Sequence, residues 1–198
     1  MELMEYNWYY RTVQIWVDMG IPNLIRQRMD EDETEHFEAL VMLRGLRQFV
    51  ANPFMEDWMP FFTSPFGYRI HPISHSREMH TGIDIGRPTG TPLHAGLDGV
   101  IYFAGDRGGY GNTVIIDAFF EDMDTYIRLL YAHMHEIHVA VDDIVEIGDV
   151  IGVVGSTGNS TGPHLHMEVM FRDSGDDTWQ LLNPLFFVES WPPEEDDD

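Results

Sequence analysis

The chain has no cysteine and no lysine. Without cysteine there is no disulfide framework, no thiolate zinc site and no thiol nucleophile. Without lysine there is no Schiff-base amine and no phosphate-loop lysine. Basic side chains are scarce: 11, all arginine, stand against 34 acidic ones, for a net charge of −23 over 198 residues. A nucleic-acid partner needs a basic footprint, so none is expected. No apolar run approaches the roughly 18 residues of a membrane span. Glu2 and Glu5 stand where a signal peptide carries positive charge, and no apolar stretch follows them. What the chain does have is ten histidines, which leaves metal chemistry to imidazole and carboxylate.

Composition divides the chain into three parts. Residues 1–60 read as a small helical N-terminal appendage. Asp32 and Glu35 fit a capping box, Phe37, Leu40, Val41, Leu43, Leu46 and Val50 follow at helical spacing, and Asn52-Pro53 ends the run. From residue 61 to 191, glycine and proline punctuate short β-branched runs: Val100–Ala104, Thr113–Asp117, Tyr126–Ala132, Ile144–Ile147, Ile151–Val154 and His164–Phe171. That pattern predicts a mainly β, antiparallel domain. Two of its segments, GLDGVIYFAG and IGDVIGVVGSTG, are loosely alike and suggest a duplicated β motif. The tail at 192–198, PPEEDDD, cannot bury anything and is expected to be disordered.

Three stretches concentrate chemistry. In Met79-His80-Thr81-Gly82-Ile83-Asp84, an imidazole and a carboxylate four residues apart share a face of an extended segment, and Gly82 allows a bend between them. In His164-Leu165-His166, two imidazoles project side by side at the head of an apolar strand, after the polar glycine-rich loop Ser156–Pro163. His133 ends the strand Tyr126–Ala132. Imidazole with carboxylate suits a divalent zinc ion. Each motif alone is also compatible with a surface or hydrogen-bonded histidine, the reading given to His71, His75, His94, His135 and His138. Their co-occurrence in one cysteine-free β domain is what gives them weight.

The ordered set Thr63–Pro72, His80–Asp84, Gly109–Asn112, Leu130–His133 and Gly155–Glu168 resembles the lysostaphin-like, LytM-type zinc metallopeptidases that cut peptidoglycan peptides. The likeness covers about residues 61–188. It implies a lysostaphin-like antiparallel sheet with a duplicated hybrid motif and a groove floored by the central sheet. It further implies that His80, Asp84 and His166 bind one Zn2+, that His133 and His164 form the catalytic pair, and that Arg69 and Asn112 are groove residues, a structural role for each remaining equally open. The hairpin Ala118–Thr125 departs from the family in being more acidic and aromatic.

On this reading the chain is a zinc-dependent endopeptidase acting on peptidoglycan cross-bridges or stem peptides. His133 is expected to be the general base and His164 to orient water or stabilise the oxyanion, with the two roles open to being shared or exchanged. The alternative is a non-catalytic or latent groove-binding regulator of cell-wall hydrolysis. A sugar-phosphotransferase carrier of similar β-fold fits less well, because Asp84 would have no role there. The resemblance also implies a place outside the cytoplasmic membrane, in the cell wall or periplasm, and the acidic start reads as a domain of a larger exported protein.

Overall fold

The computed structural model describes residues 50–70, 75–121 and 124–188. Most of the expected N-terminal helical appendage, His71 and the acidic tail lie outside them.

Among the described residues thirteen strands follow one another: β1 (Phe62–Ser64), β2 (Gly67–Ile70), β3 (Arg77–His80), β4 (Ile83–Gly86), β5 (Pro92–His94), β6 (Gly99–Asp106), β7 (Asn112–Phe120), β8 (Thr125–Met134), β9 (Glu136–Ile137), β10 (Ile144–Val145), β11 (Val150–Val153), β12 (His164–Asp173) and β13 (Gln180–Leu182). The main sheet is antiparallel, in the order β1-β4-β12-β8-β7-β6-β10, with β13 also pairing with β12. A smaller sheet runs β5-β11-β9, and β2 and β3 form a separate hairpin. The expectation of an antiparallel, mainly β domain is therefore met. The six strands expected from β-branched runs are β6, β7, β8, β10, β11 and β12. The short strands β1–β5, β9 and β13 carry too few apolar residues to announce themselves.

Period-two alternation sets the two faces of the main sheet. Ile83 and Ile85 of β4, Leu165, Met167 and Val169 of β12, Ile127, Leu129 and Tyr131 of β8, and Val114 and Ile116 of β7 are almost wholly buried. They form the main core. Val50, Phe54 and Trp58, which precede the first strand, are buried as well, and Ala51 N–H donates to the Gly96 carbonyl at 2.9 Å.

Register identifies what stands on the opposite face. His166 pairs with Ala132 and Glu168 with Leu130, and Leu130 pairs with Ile115. Ile115, Leu130 and Ala132 form a second small cluster, flanked by Phe103, Tyr110 and Met170. Farther along, Arg128 is bonded through two nitrogens to Asp117, both at 2.6 Å, and lies over Tyr102 and Trp179. Arg172 lies over Trp179 and Tyr126. These stacked arginines and aromatics cover the end of the face remote from His166. The acidic β7–β8 turn is at that same end, since Phe120 pairs with Thr125 there while Asn112 pairs with Met134 at the other.

Candidate metal centre

His80, Asp84 and His166 converge. His80 Nε2 is 3.1 Å from Asp84 Oδ1 and 3.1 Å from His166 Nδ1, and His166 Nδ1 is 2.9 Å from Asp84 Oδ1. All three residues are buried. Four ligands at zinc distances of about 2.0–2.1 Å stand roughly 3.3 Å apart on a tetrahedron. The observed triangle of two imidazole nitrogens and one carboxylate oxygen is close to one face of that figure, so the donor set fits a small divalent cation.

Local structure explains how each donor arrives. His80 ends β3 and Asp84 lies within β4, so the pair meets across the bend at Thr81-Gly82 and not along one continuous strand. Gly82 is required there by proximity, because a Cβ would come within 2.2 Å of the Met167 carbonyl oxygen. On β4, Ile83 and Ile85 enter the core, and Asp84 is left facing the opposite side. The pairing of His166 with Asp84 across β4 and β12 brings the third donor alongside.

The far side of each imidazole is anchored, which fixes which nitrogen faces inward. His80 Nδ1 donates to the Pro65 carbonyl at 2.6 Å. His166 Nε2 donates to Glu168 Oε1 at 3.2 Å. That carboxylate oxygen also accepts from the Tyr110 hydroxyl at 2.8 Å and from the Thr81 hydroxyl. Glu168 was not singled out in the sequence. The signal was present, since a residue two positions after His166 shares its face of the strand.

Electrostatics follow from these contacts. Burial alone would raise the Asp84 carboxyl, but hydrogen bonds from His166 and His80 outweigh it and hold the group well below the usual carboxylate range. Burial disfavours charge on His166, yet Asp84 and Glu168 on its two sides lift it to about 9. The site therefore favours positive charge between these carboxylates.

Two further imidazoles stand beside the triad. His133 lies in a β-bulge: Asn112 pairs with Met134 but Val114 pairs with Tyr131, so β8 has one more residue than β7 over this interval. Its φ is 58°, in the left-handed region. Its ring centroid is 4.7 Å from that of His164 and 5.9 Å from that of His166. His133 Nδ1 donates to the Thr157 carbonyl at 2.8 Å, and His164 Nδ1 to the Gly162 carbonyl at 2.8 Å. Each neutral ring thus keeps its Nε2 lone pair free, and His164 Nε2 is 3.7 Å from Asp84 Oδ1. Burial, aided by the neighbouring imidazoles, pushes His133 down to about 4, although the Thr157 carbonyl opposes it.

The Thr157 loop braces the bulge. Its hydroxyl donates to the Met134 carbonyl at 2.8 Å and accepts from Asn112 N–H at 2.9 Å. Gly111 touches this loop backbone to backbone. Its φ is 64°, and a Cβ on it would come within 2.6 Å of Gly158 N.

A cleft of about 760 Å³ opens over these groups. His80, Asp84, His133, His164 and His166 all line it, and so does Arg69. Arg69 Nη1 donates to Asp84 Oδ2 at 3.3 Å and to the Ser64 hydroxyl. Asn112 is not among the lining residues; its side-chain amide donates to the His135 carbonyl at 3.1 Å and ties two strand ends together.

Known proteins resemble this chain in sequence and fold. The DD-carboxypeptidase/endopeptidase Mpg of Neisseria meningitidis is 53% identical over 123 residues, which is 62% of this chain and 26% of that protein. The chain thus spans about a quarter of the length of that relative. The catalytic domain of the antimicrobial peptidase lysostaphin from Staphylococcus simulans superposes with a TM-score of 0.51 at 34% identity, covering 63% of this chain and 88% of that one. A zinc-containing peptidase from Vibrio cholerae gives 0.53 at 29% identity, over 63% of this chain and 35% of that one. Among the described residues, no helix is long and apolar enough to cross a membrane. The profile of Peptidase family M23 matches residues 78–178, half the chain, and the chain belongs to that family.

Proposed function

We propose that this chain is a zinc endopeptidase that hydrolyses peptide bonds of peptidoglycan, in cross-bridges or stem peptides, outside the cytoplasmic membrane. The observation that carries the reading is the convergence of five residues in one cleft, three with donor atoms in a close triangle and two as imidazoles beside it. Membership of a peptidase family supports it.

His80 Nε2, Asp84 Oδ1 and His166 Nδ1 would hold the ion. When bound, zinc supplies Lewis-acid polarisation of the scissile carbonyl and makes water more acidic near neutral pH. His133 Nε2 accepts the proton of the attacking water, because its Nδ1–H is committed to Thr157 and its lone pair faces the cleft. As the carbon–nitrogen bond breaks, the imidazolium passes that proton to the leaving amine. His164 Nε2 orients the water and, when protonated, donates to the developing oxyanion. Arg69 holds Asp84 Oδ2, which leaves Oδ1 to the ligand triangle.

Mass spectrometry of peptides released from purified cell walls of differing bridge chemistry tests this. Fragments are expected with zinc and not with a chelator. His133→Ala should retain zinc yet release them about 10²- to 10⁴-fold more slowly. A folded, zinc-loaded chain that cuts no wall would refute the proposal.

A further inference from the structure

We infer that Arg107 binds a carboxylate of the substrate and makes the cleft prefer peptides that carry one near the cut bond. This rests on the peptidase reading above.

Arg107 is exposed and lines the same cleft as the histidines. Its guanidinium carbon lies 5.4 Å from the centroid of the Tyr110 ring, and that ring lies 5.7 Å from the His166 ring. Tyr110 is itself pinned by its hydroxyl to Glu168. The planar cation is therefore backed by a fixed aromatic face within about 11 Å of His166, a distance that three residues of extended peptide cover at ~3.5 Å each.

Its charge is unspent. Among the described residues, Arg69 pairs with Asp84, Arg87 with Glu56 and Arg128 with Asp117, whereas no carboxylate lies within ion-pair distance of Arg107. The adjacent Asp106 carboxylate accepts from Gly108 N–H at 3.1 Å. In a chain of net charge −23, an arginine that lines a cleft and engages no carboxylate among the described residues is set to receive one from outside. The guanidinium fork matches a carboxylate through two parallel hydrogen bonds.

A free carboxylate within reach has two sources, the C-terminus of the peptide or a side chain beside the cut bond. The experiment uses the full zinc-loaded chain with two peptide pairs. One pair differs only in C-terminal carboxylate against carboxamide; the other carries its only carboxylate on a side chain, free or amidated. Dissociation constants are measured on the His133→Ala background, so binding is read without turnover, and cleavage is measured on the unsubstituted chain.

Within at least one pair the carboxylate peptide should bind about 10- to 100-fold more tightly, and the pair that discriminates identifies the source. Arg107→Gln should bring that ratio close to one, and Arg107→Lys should restore part of it. Equal affinity within both pairs overturns the inference. So does an Arg107→Gln variant that weakens both members alike, the result expected if the side chain only braces Tyr110. Absence of cleavage by the unsubstituted chain would instead strike at the peptidase reading, leaving the binding ratios to decide the role of Arg107.

Discussion

His133 carries strain that its proposed role explains. A side chain in the left-handed region costs about 1–2 kcal/mol relative to glycine, and here the bulge enforces it. Two truncations separate backbone from ring. His133→Gly and His133→Ala both remove the bond to Thr157, so they differ chiefly in backbone preference. The usual order should invert, with the glycine variant about 1 kcal/mol more stable than the alanine variant in thermal or urea unfolding, and both slowed alike in hydrolysis. Glu168 works through His166. Because its oxygen fixes the Nε2–H tautomer, Glu168→Gln should loosen zinc about 10- to 100-fold in competition with a chromogenic chelator. Normal zinc affinity in that variant would mean that a neutral amide oxygen holds the imidazole as well as the carboxylate does.

Elements explain what could be read in the chain and what could not. The six β-branched runs were legible because they alternate or are buried on both faces. His166 and Asp84 were legible for the same reason, each lying between apolar neighbours on a strand. His133 was the difficult one. Period-two counting puts it on the core side with Leu129 and Tyr131, and only the inserted residue turns it to the cleft. A bulge depends on partner register, which one strand's sequence does not contain. The contact between Gly111 and the Thr157 loop is equally non-local. Gly111→Ala puts a Cβ into backbone at 2.5–2.6 Å and strains a positive φ. It should destabilise the fold by about 2 kcal/mol or more, and also lower kcat by shifting the carbonyl that orients His133. Unchanged kcat alongside lost stability would uncouple that loop from catalysis.

At the scale of the whole molecule, two of the three candidate ligands, Asp84 and His166, belong to strands already joined by backbone hydrogen bonds, β4 to β12, and His80 ends the β2–β3 hairpin with its ring held by the Pro65 carbonyl. Metal and fold are therefore separable. A chelator should abolish hydrolysis while leaving the far-ultraviolet circular dichroism of the sheet intact, and added zinc should restore activity without a refolding step. Loss of the β signal on chelation would show that the ion organises the domain. The long hairpin of β7 and β8 has a practical consequence. Its turn and His133 lie at opposite ends of β8, eight residues apart or about 27 Å at ~3.4 Å per residue. Glu121, exposed beside that turn, is a natural handle. In a chain without thiols, Glu121→Cys would create a unique point of attachment, and protein immobilised there would keep its cleft turned away from the support.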